Sequence, residues 1–172
     1  MRLAPTLPQL SQYQLVNLAS GRAGLLQTLG QMRKYVNDGR VSPAIRNCAL
    51  SLIYHTPARD QIGECDAIFS FVRDSIRYTR DVLGVETVST AENTLMSKMG
   101  DCDDQTVLLC SLIESIGYPT RFVVAGYNNP KMFDHVYSQI YINGSWIDAD
   151  PTENHQLGWA PPNPVCISFE RV

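Results

Sequence analysis

The chain has 172 residues, which corresponds to one domain at roughly 150 residues per domain. Hydrophobic residues make up 44% and charged residues 18%, a composition that supports a buried core and excludes a disordered chain. The net charge of −3 excludes the strongly basic surface that nucleic acids and anionic membranes require. The sequence also has neither a signal-peptide pattern nor a long apolar run. We therefore expect a cytoplasmic protein without nucleic-acid or membrane partners.

Helices are predicted through the first half of the chain. Apolar residues recur every three or four positions over 15–36, which indicates one helical stripe. Ser42 and Pro43 form an N-cap and first-turn pair, so a short helix is expected to begin there and to end near Thr56. A third helix is predicted from the apolar stripe of Ile62, Cys65, Phe69, Val72 and Ile76.

The second half of the chain predicts one helix followed by strands. Residues 81–100 read as irregular with about one helical turn. A wide apolar face then predicts a buried helix over 103–116, which Gly117 terminates. Extended runs cover 121–127, 135–142 and 146–150, and the last two are joined by Asn143-Gly144, a type I′ turn signal. Helices followed by an antiparallel sheet predict an α+β fold, with a loop over 159–164.

Three side chains in this arrangement are suited to nucleophilic catalysis. Cys102 stands at the start of the predicted buried helix, where the helix dipole is expected to lower the thiol pKa and favour the thiolate. Gly100, two residues earlier, permits a close approach of backbone or substrate. Across the hairpin, His135 and Asp150 lie within about two residues of opposite each other, so the carboxylate can orient the imidazole. Cys102, His135 and Asp150 thus supply a nucleophile, a base and an orienting acid.

Three sequence blocks carry a resemblance to a known family. Gly100–Asp104 before a Leu-rich helix, Asp134–Tyr137 at a strand start, and Trp146–Thr152 occur in this order. In these blocks the chain resembles the transglutaminase-like cysteine enzyme superfamily over roughly residues 60–152. The resemblance implies a papain-like core with a catalytic triad of Cys102, His135 and Asp150. The chain departs from the family pattern in having Val136, and not an aromatic residue, directly after the histidine.

The resemblance also implies how the chain is divided and what it does. We expect a single domain over 1–172, with a helical extension at 1–59, a catalytic core at 60–152 and a tail at 153–172. The implied chemistry is hydrolysis of a protein or peptide amide, or acyl transfer to an amine, through a thioester. A protease or amidase is favoured over a crosslinking enzyme because the chain is small.

An alternative function comes from a weaker similarity. The stretch after Trp146, together with residues 158–162, resembles small stand-alone members encoded by bacteriophages and prophages. The alternative is therefore a virion-associated structural or morphogenetic protein that keeps the fold as a binding module. The presence of all three triad residues argues against it, because a scaffold does not need them.

Other cysteines, histidines and acids have simpler interpretations. The five cysteines include no C-x-x-C pair, so neither a disulfide framework nor a zinc ribbon is predicted. Asp148 shares a strand face with Asp150 and is the alternative partner of His135. Asp134 is expected to be a solvated charge. Cys166 is left open between exposed and packed. Core positions are predicted for Cys48, Cys65 and Cys110, and surface positions for His55 and His155.

The sequence also offers candidates for an oxyanion donor and for a metal site. The backbone N–H of Cys102 is a candidate donor, and the possible side-chain donors are Gln105, Asn93 and Tyr78. The acids at 101, 103 and 104 satisfy the first N–H groups of the helix without any ion, so we predict no metal and no other cofactor. Calcium is the alternative there, because some bacterial relatives bind it beside the nucleophile. Zinc held by the triad itself is less favoured. Residues 81–99 and 161–164 are expected to border a substrate cleft.

Overall fold

A computed structural model describes residues 22–80, 87–129 and 132–172. In these ranges the helices are α1 (Arg22–Gly39), α2 (Pro43–Leu52), α3 (Gln61–Ser75), α4 (Ala91–Ser97) and α5 (Cys102–Ser115). The strands are β1 (Arg77–Tyr78), β2 (Met99–Gly100), β3 (Thr120–Gly126), β4 (His135–Ile142), β5 (Ser145–Ala149) and β6 (Cys166–Arg171). The predicted α+β class is confirmed.

Helix α5 lies at the centre of the fold. The other four helices pack against it, and β3 and β4 pack against it from the sheet. Its buried apolar side chains join the core residues of α1, α3 and the inner sheet face, among them Met32, Phe69, Phe122 and Ile140. Each such side chain contributes about 1.5–3 kcal/mol when removed from water. None of the described helices combines the length and the apolar character needed to span a bilayer.

The main sheet has four strands in the order β5-β4-β3-β6, and all its neighbours are antiparallel. Asn143 and Gly144 connect β4 to β5 with φ angles of 50° and 85°, the left-handed pair that a type I′ turn requires. The predicted hairpin is therefore confirmed. Its register pairs Ser138 with Ala149, which brings the start of β4 close to the end of β5. The hairpin places His135 at the sheet end nearest the start of α5.

Most predicted boundaries agree with the structure within a few residues. Helix α2 ends at Leu52, a few residues before the expected stop near Thr56, and α4 is longer than the single turn predicted. Thr90 caps α4 because its hydroxyl accepts the N–H of Asn93. The stretches 15–21 and 81–86, for which predictions were also made, lie outside the described residues.

Strands β1, β2 and β6 were not predicted. Strand β6 pairs with β3, and its apolar residues Ile167 and Phe169 are exposed on the outer sheet face. Because an edge strand packs less than a central one, its residue pattern does not show the usual burial of apolar positions. Strands β1 and β2 have two residues each and form a separate parallel pair, which is too short to give a periodic pattern.

Candidate active site

A hydrogen-bonded pair of side chains joins the two strands of the hairpin. His135 Nε2 lies 2.7 Å from Asp150 Oδ2, and the Asp150 side chain is fully buried. The other carboxylate oxygen, Oδ1, accepts the backbone N–H of Thr152 at 3.0 Å and its hydroxyl at 2.7 Å. A buried carboxylate needs such partners because it has lost its water. Three hydrogen bonds therefore hold Asp150 in the orientation that meets the imidazole.

Thr152 is a positioning residue that the sequence analysis missed. It follows Asp150 by two residues, and both its backbone and its hydroxyl donate to that carboxylate. A local signal was available, because Asp followed two residues later by Thr is typical of side-chain-to-backbone turns. Asp148, the alternative partner of His135, instead accepts Gln139 Nε2 at 2.7 Å. The strand register sets this difference, since Asp148 lies directly opposite Gln139.

The cysteine lies where α5 meets the start of β4. Cys102 is the first residue of α5, and its thiol donates to Asp103 Oδ1 at 3.6 Å. The backbone N–H of Val136, the residue after His135, lies near enough to the sulfur to act on its pKa. One turn later the Thr106 hydroxyl donates to the carbonyl of Val136 at 3.4 Å. Helix and strand are thus joined at this point. The structure therefore brings Cys102, His135 and Asp150 to the same end of the sheet.

The electrostatic environment of the thiol differs from the prediction. Burial is the largest cause that raises the pKa of Cys102, and the carboxylates of Asp103 and Asp101 raise it further. The Val136 N–H acts in the opposite direction but is weaker. The expectation that the helix terminus lowers this pKa is wrong. The helix terminus does not lower the pKa because Asp101 accepts the N–H groups of Asp103 and Asp104, so a carboxylate already faces the positive end of the helix.

The acids at the start of α5 do not form a good calcium site. Ligand atoms of Asp101, Cys102 and Asp103 lie within 4.8 Å of one another, but one of the three is sulfur. Asp104 Oδ1 accepts the backbone N–H of Ser89 at 2.6 Å. Calcium takes roughly six to eight oxygen ligands. Among the described residues, two carboxylates and a thiol supply fewer oxygen ligands than that demand.

Zinc held by the triad does not fit this geometry either. His135 Nε2 is bonded directly to Asp150, so these two groups face each other and do not converge on a common ion. A zinc site needs its ligand atoms at about 2 Å from one centre.

Gly100, two residues before the thiol, has a structural reason to be glycine, since a Cβ there would lie 2.5 Å from the Cβ of Asp104. The close approach predicted for Gly100 is therefore made by the first turn of α5.

Two cavities lie on either side of the loop that follows Asp150, and both are lined by Thr152 and Glu153. The first has a volume of about 500 Å³ and lies against the end of α3, β1 and Gln105. The second has a volume of about 380 Å³ and is lined by His135. Pro161 also lines the second cavity, as the prediction for 161–164 requires. Residues 87–99, which were expected to border the cleft, line neither of these two cavities.

Cys48, Cys65 and Cys110 pack in or against the core, as predicted, and the structure settles the position of Cys166, which was left open. Cys65 and Cys110 are fully buried, and burial raises the pKa of each to about 12. Cys48 is partly buried against the core, and its pKa is raised by burial as well. Cys166 begins β6 and is partly buried, with the Met132 carbonyl 3.5 Å from its sulfur.

The other histidines and the acid before His135 lie at the surface. His55 and His155 are both exposed, as predicted. Asp134 is exposed too, yet its carboxylate accepts the N–H of Tyr127 and the side-chain amide of Asn128. It therefore closes the loop before β4, a structural role that a purely solvated charge would not have.

Two of the candidate oxyanion donors can be distinguished. Gln105 Nε2 donates to the carbonyl of Gly100 at 3.3 Å, so this side-chain nitrogen is already engaged and is not the oxyanion donor. Tyr78 lies within electrostatic reach of the thiol, because burial, Cys102 and Asp101 together raise its pKa to about 12. Its hydroxyl therefore keeps its proton at neutral pH. Cys102, as the first residue of α5, has an N–H with no acceptor within the helix.

A family model described as the transglutaminase-like superfamily matches residues 52–151 of the chain. The chain belongs to the transglutaminase-like superfamily. Members of this superfamily are generally enzymes, either cysteine proteases or transglutaminases. The match starts a few residues before the region in which the sequence blocks showed the resemblance, and it includes Cys102, His135 and Asp150.

Solved structures show the same fold at low sequence identity. A proposed cysteine protease from Cytophaga hutchinsonii is 18% identical with a TM-score of 0.56, and the match covers 81% of this chain and 47% of that one. A proposed protease from Parabacteroides distasonis is 11% identical with a TM-score of 0.59, over 75% of this chain and 26% of that one. This transglutaminase-like chain thus spans less than half the length of either structure. A search of curated proteins finds no match.

Proposed function

We propose that the protein is a cysteine-dependent amide hydrolase acting on a protein or peptide substrate, with Cys102 as nucleophile, His135 as base and Asp150 as positioning acid. One observation carries the proposal. His135 Nε2 is bound to the buried Asp150 at 2.7 Å, while the Cys102 sulfur lies near the backbone N–H of the next residue along β4. This arrangement leaves His135 Nδ1 for proton exchange with the thiol.

The first chemical step follows from the protonation of the thiol. Because burial and two carboxylates raise the pKa of Cys102, the resting group is a neutral thiol. His135 takes its proton as the sulfur forms a bond to the amide carbon, and the carbonyl oxygen becomes an oxyanion. The N–H of Cys102 is the proposed oxyanion donor. Collapse breaks the C–N bond, and His135 returns the proton to the leaving amine.

The thioester is then resolved by water or by an amine. His135 removes a proton from the incoming nucleophile, the acyl carbon forms its new bond, and the sulfur leaves with that proton. Water gives hydrolysis, whereas an amine gives acyl transfer. The proposed chemistry calls on no cofactor, since His135 moves every proton and the acyl carbon exchanges bonds only with the Cys102 sulfur, the leaving amine and the incoming nucleophile.

The alternative of a binding module is less consistent with the buried acid. Asp150 is fully buried and is held by His135 and Thr152. Burying a carboxylate costs several kcal/mol before its partners offset the loss of water. A protein that only binds through this fold gains nothing from such a group beside a cysteine. The Asp150–His135 pair therefore favours turnover over a structural role.

Thiol alkylation tests the proposal without a known substrate. The protein is treated with iodoacetamide near neutral pH, and the labelled cysteines are mapped and timed by mass spectrometry. We expect Cys102 to react fastest and His135→Ala to slow it by about 100-fold, as loss of a positioned base does. His55→Ala, which removes an exposed histidine, serves as the matched control. Equally slow labelling of all the thiols, unaffected by His135→Ala, would falsify the proposal.

A further inference from the structure

The larger of the two cavities lies beside the start of α5, where Gln105 lines it and Cys102 does not. It is bounded by the end of α3, by β1, by the loop of residues 151–154 and by Gln105. Gln105 follows Cys102 by three residues on α5, so the two side chains are neighbours on one helix face. Its volume of about 500 Å³ is within the usual range for ligand sites. A group bound there contacts Gln105, about one helical turn from Cys102 along α5.

Gln105 presents an acceptor without a partner in the wall of this cavity. The residue is 1% exposed, and its Nε2 donates to the Gly100 carbonyl at 3.3 Å. A carbonyl only accepts, so this bond fixes which end of the carboxamide is nitrogen. Within the described part of the chain, the buried Oε1 has no hydrogen-bond partner. Buried acceptors are nearly always satisfied, so this oxygen is suited to a donor that the described residues do not supply, such as a ligand N–H.

Strand β1 presents an unpaired edge to the same cavity. Arg77 N–H donates to the Lys98 carbonyl at 2.9 Å and Thr79 N–H to the Gly100 carbonyl at 3.0 Å. Because successive residues of a strand point their N–H and C=O groups to opposite sides, those of Tyr78 point away from β2. In the described residues, β1 pairs with β2 alone. Tyr78 is 44% exposed and lines the cavity.

The charges around the cavity balance. Arg73 and Arg77 line it together with Asp74 and Glu153. Arg73 is bound to Asp74 by two hydrogen bonds of 2.7 and 2.8 Å. A site without excess charge selects neither an anion nor a cation. It suits a neutral ligand with alternating N–H and C=O groups, which describes a peptide main chain.

We propose that this cavity binds the acyl part of the substrate as an extended peptide, which adds a strand to β1 through Tyr78 and donates one further N–H to Gln105 Oε1. The inference rests on the proposed function and names the substrate class of that site. The leaving amine takes its proton from His135, which lines the second cavity, so the acyl part occupies the first. Main-chain pairing supplies affinity that does not depend on the side chains of the substrate.

A series of peptide electrophiles tests the pairing. The probes are N-acetyl-trialanine chloromethyl ketone and three analogues, each methylated on one alanine nitrogen. In the reaction the Cys102 sulfur bonds to the methylene carbon, the C–Cl bond breaks, and His135 takes the thiol proton. We expect methylation at one or two positions to lower the second-order rate about tenfold, because each loses one hydrogen bond. Chloroacetone has the same reactive group and no main chain, so it reports the nucleophile alone.

A substitution locates the position that faces Gln105. In Gln105→Leu, methylation at that position is expected to have no further effect, while the other sensitive position keeps its tenfold loss. Gln27→Leu, at an exposed site on α1, is the matched control and should respond to the probes as the wild type does. If Gln105→Leu does not fold, the methylated series on the wild-type protein decides alone.

The failures of the two proposals are distinguishable. If chloroacetone alkylates Cys102 selectively and all four peptide probes react at equal rates, the pairing is wrong and the nucleophile stands. If chloroacetone shows no preference for Cys102, the proposed function fails and the pairing fails with it.

Discussion

Helix α5 contains two cysteines, one at its first position and one in its middle, and their surroundings differ. Cys110, in the middle of the helix, is fully buried in the core and has the Thr120 and Ser138 side chains as weak partners. Cys102, at the first position, is only partly buried and lies against Asp103 and the Val136 N–H. Burial nevertheless is the main cause that raises the pKa of both thiols.

This comparison shows that position at a helix terminus does not by itself produce a reactive thiol. The Asp101 carboxylate occupies the terminus where an anionic sulfur would be stabilised. What Cys102 has, and Cys110 lacks, is a histidine on the neighbouring strand whose ring is held by a buried acid. The proposed activity therefore depends on base-assisted proton removal and not on a preformed thiolate.

The largest expected effect comes from removing the charge of the buried acid. In Asp150→Asn the amide can donate to His135 Nε2, which disfavours the tautomer that accepts the thiol proton at Nδ1. We expect the rate of Cys102 alkylation to fall by about 10²–10⁴-fold, a range typical of triad acids. Asp148→Asn, two residues earlier in β5 and bonded to Gln139, is the control. An unchanged rate in Asp150→Asn would show that the two cysteines do not differ in the way proposed.

The second prediction concerns stability at alkaline pH. Burial raises the pKa of Cys110 and of Cys65 from 9.0 to about 12, so the folded protein keeps these protons after the unfolded chain loses them. The stabilisation is complete below pH 9 and is lost as the pH rises towards 12. Each thiol is expected to lower the free energy of unfolding by about 1 kcal/mol at pH 10.

Urea unfolding at pH 8 and pH 10 measures this difference. Cys110→Ala should reduce the loss of unfolding free energy between pH 8 and pH 10. The same change at Cys166, a partly buried residue at the start of the edge strand, should leave it as in the wild type. A free energy of unfolding that does not change from pH 8 to pH 10 would contradict the buried-thiol account.

The smallest effect is expected at the acid next to the nucleophile. Asp103 is the first of the two carboxylates that raise the pKa of Cys102, and it does not supply the cap of the helix. Asp103→Asn is expected to lower that pKa, so the pH profile of alkylation should move towards lower pH. The rate at neutral pH should rise by up to about tenfold. Asp38→Asn, on the exposed surface of α1, controls for the loss of one negative charge. If the pH profile of alkylation moved to higher pH instead, Asp103 would not be a group that raises the pKa of Cys102.

Local patterns were sufficient to predict the parts of the fold that align the proposed site. The hairpin follows from two alternating runs around Asn143-Gly144, and its length determines that His135 meets Asp150. The buried helix follows from its wide apolar face and from the Asp101 cap. The hairpin and the helix depend on residues that are close together in the sequence, so the sequence alone contains the whole signal for each of them.

Other features depend on distant contacts that a sequence does not specify. Strand β6 pairs with β3 across 40 to 50 positions of the chain, and its exposed apolar residues give no core pattern. The pKa of Cys102 depends on burial, which follows from tertiary packing. The unpartnered oxygen of Gln105 also becomes visible after folding, because it is defined by the absence of a neighbour among the described residues.

The type I′ turn has a consequence for protein engineering. Strand β4 has eight residues, so the turn at Asn143-Gly144 lies at the opposite end of the sheet from His135, about 25 Å away. Residues inserted at this turn extend a surface loop without shifting either strand. One residue inserted within β5 would instead move Asp150 to the other sheet face. The hairpin tip is therefore the place at which an affinity tag or fluorophore can be added while the proposed site is kept intact.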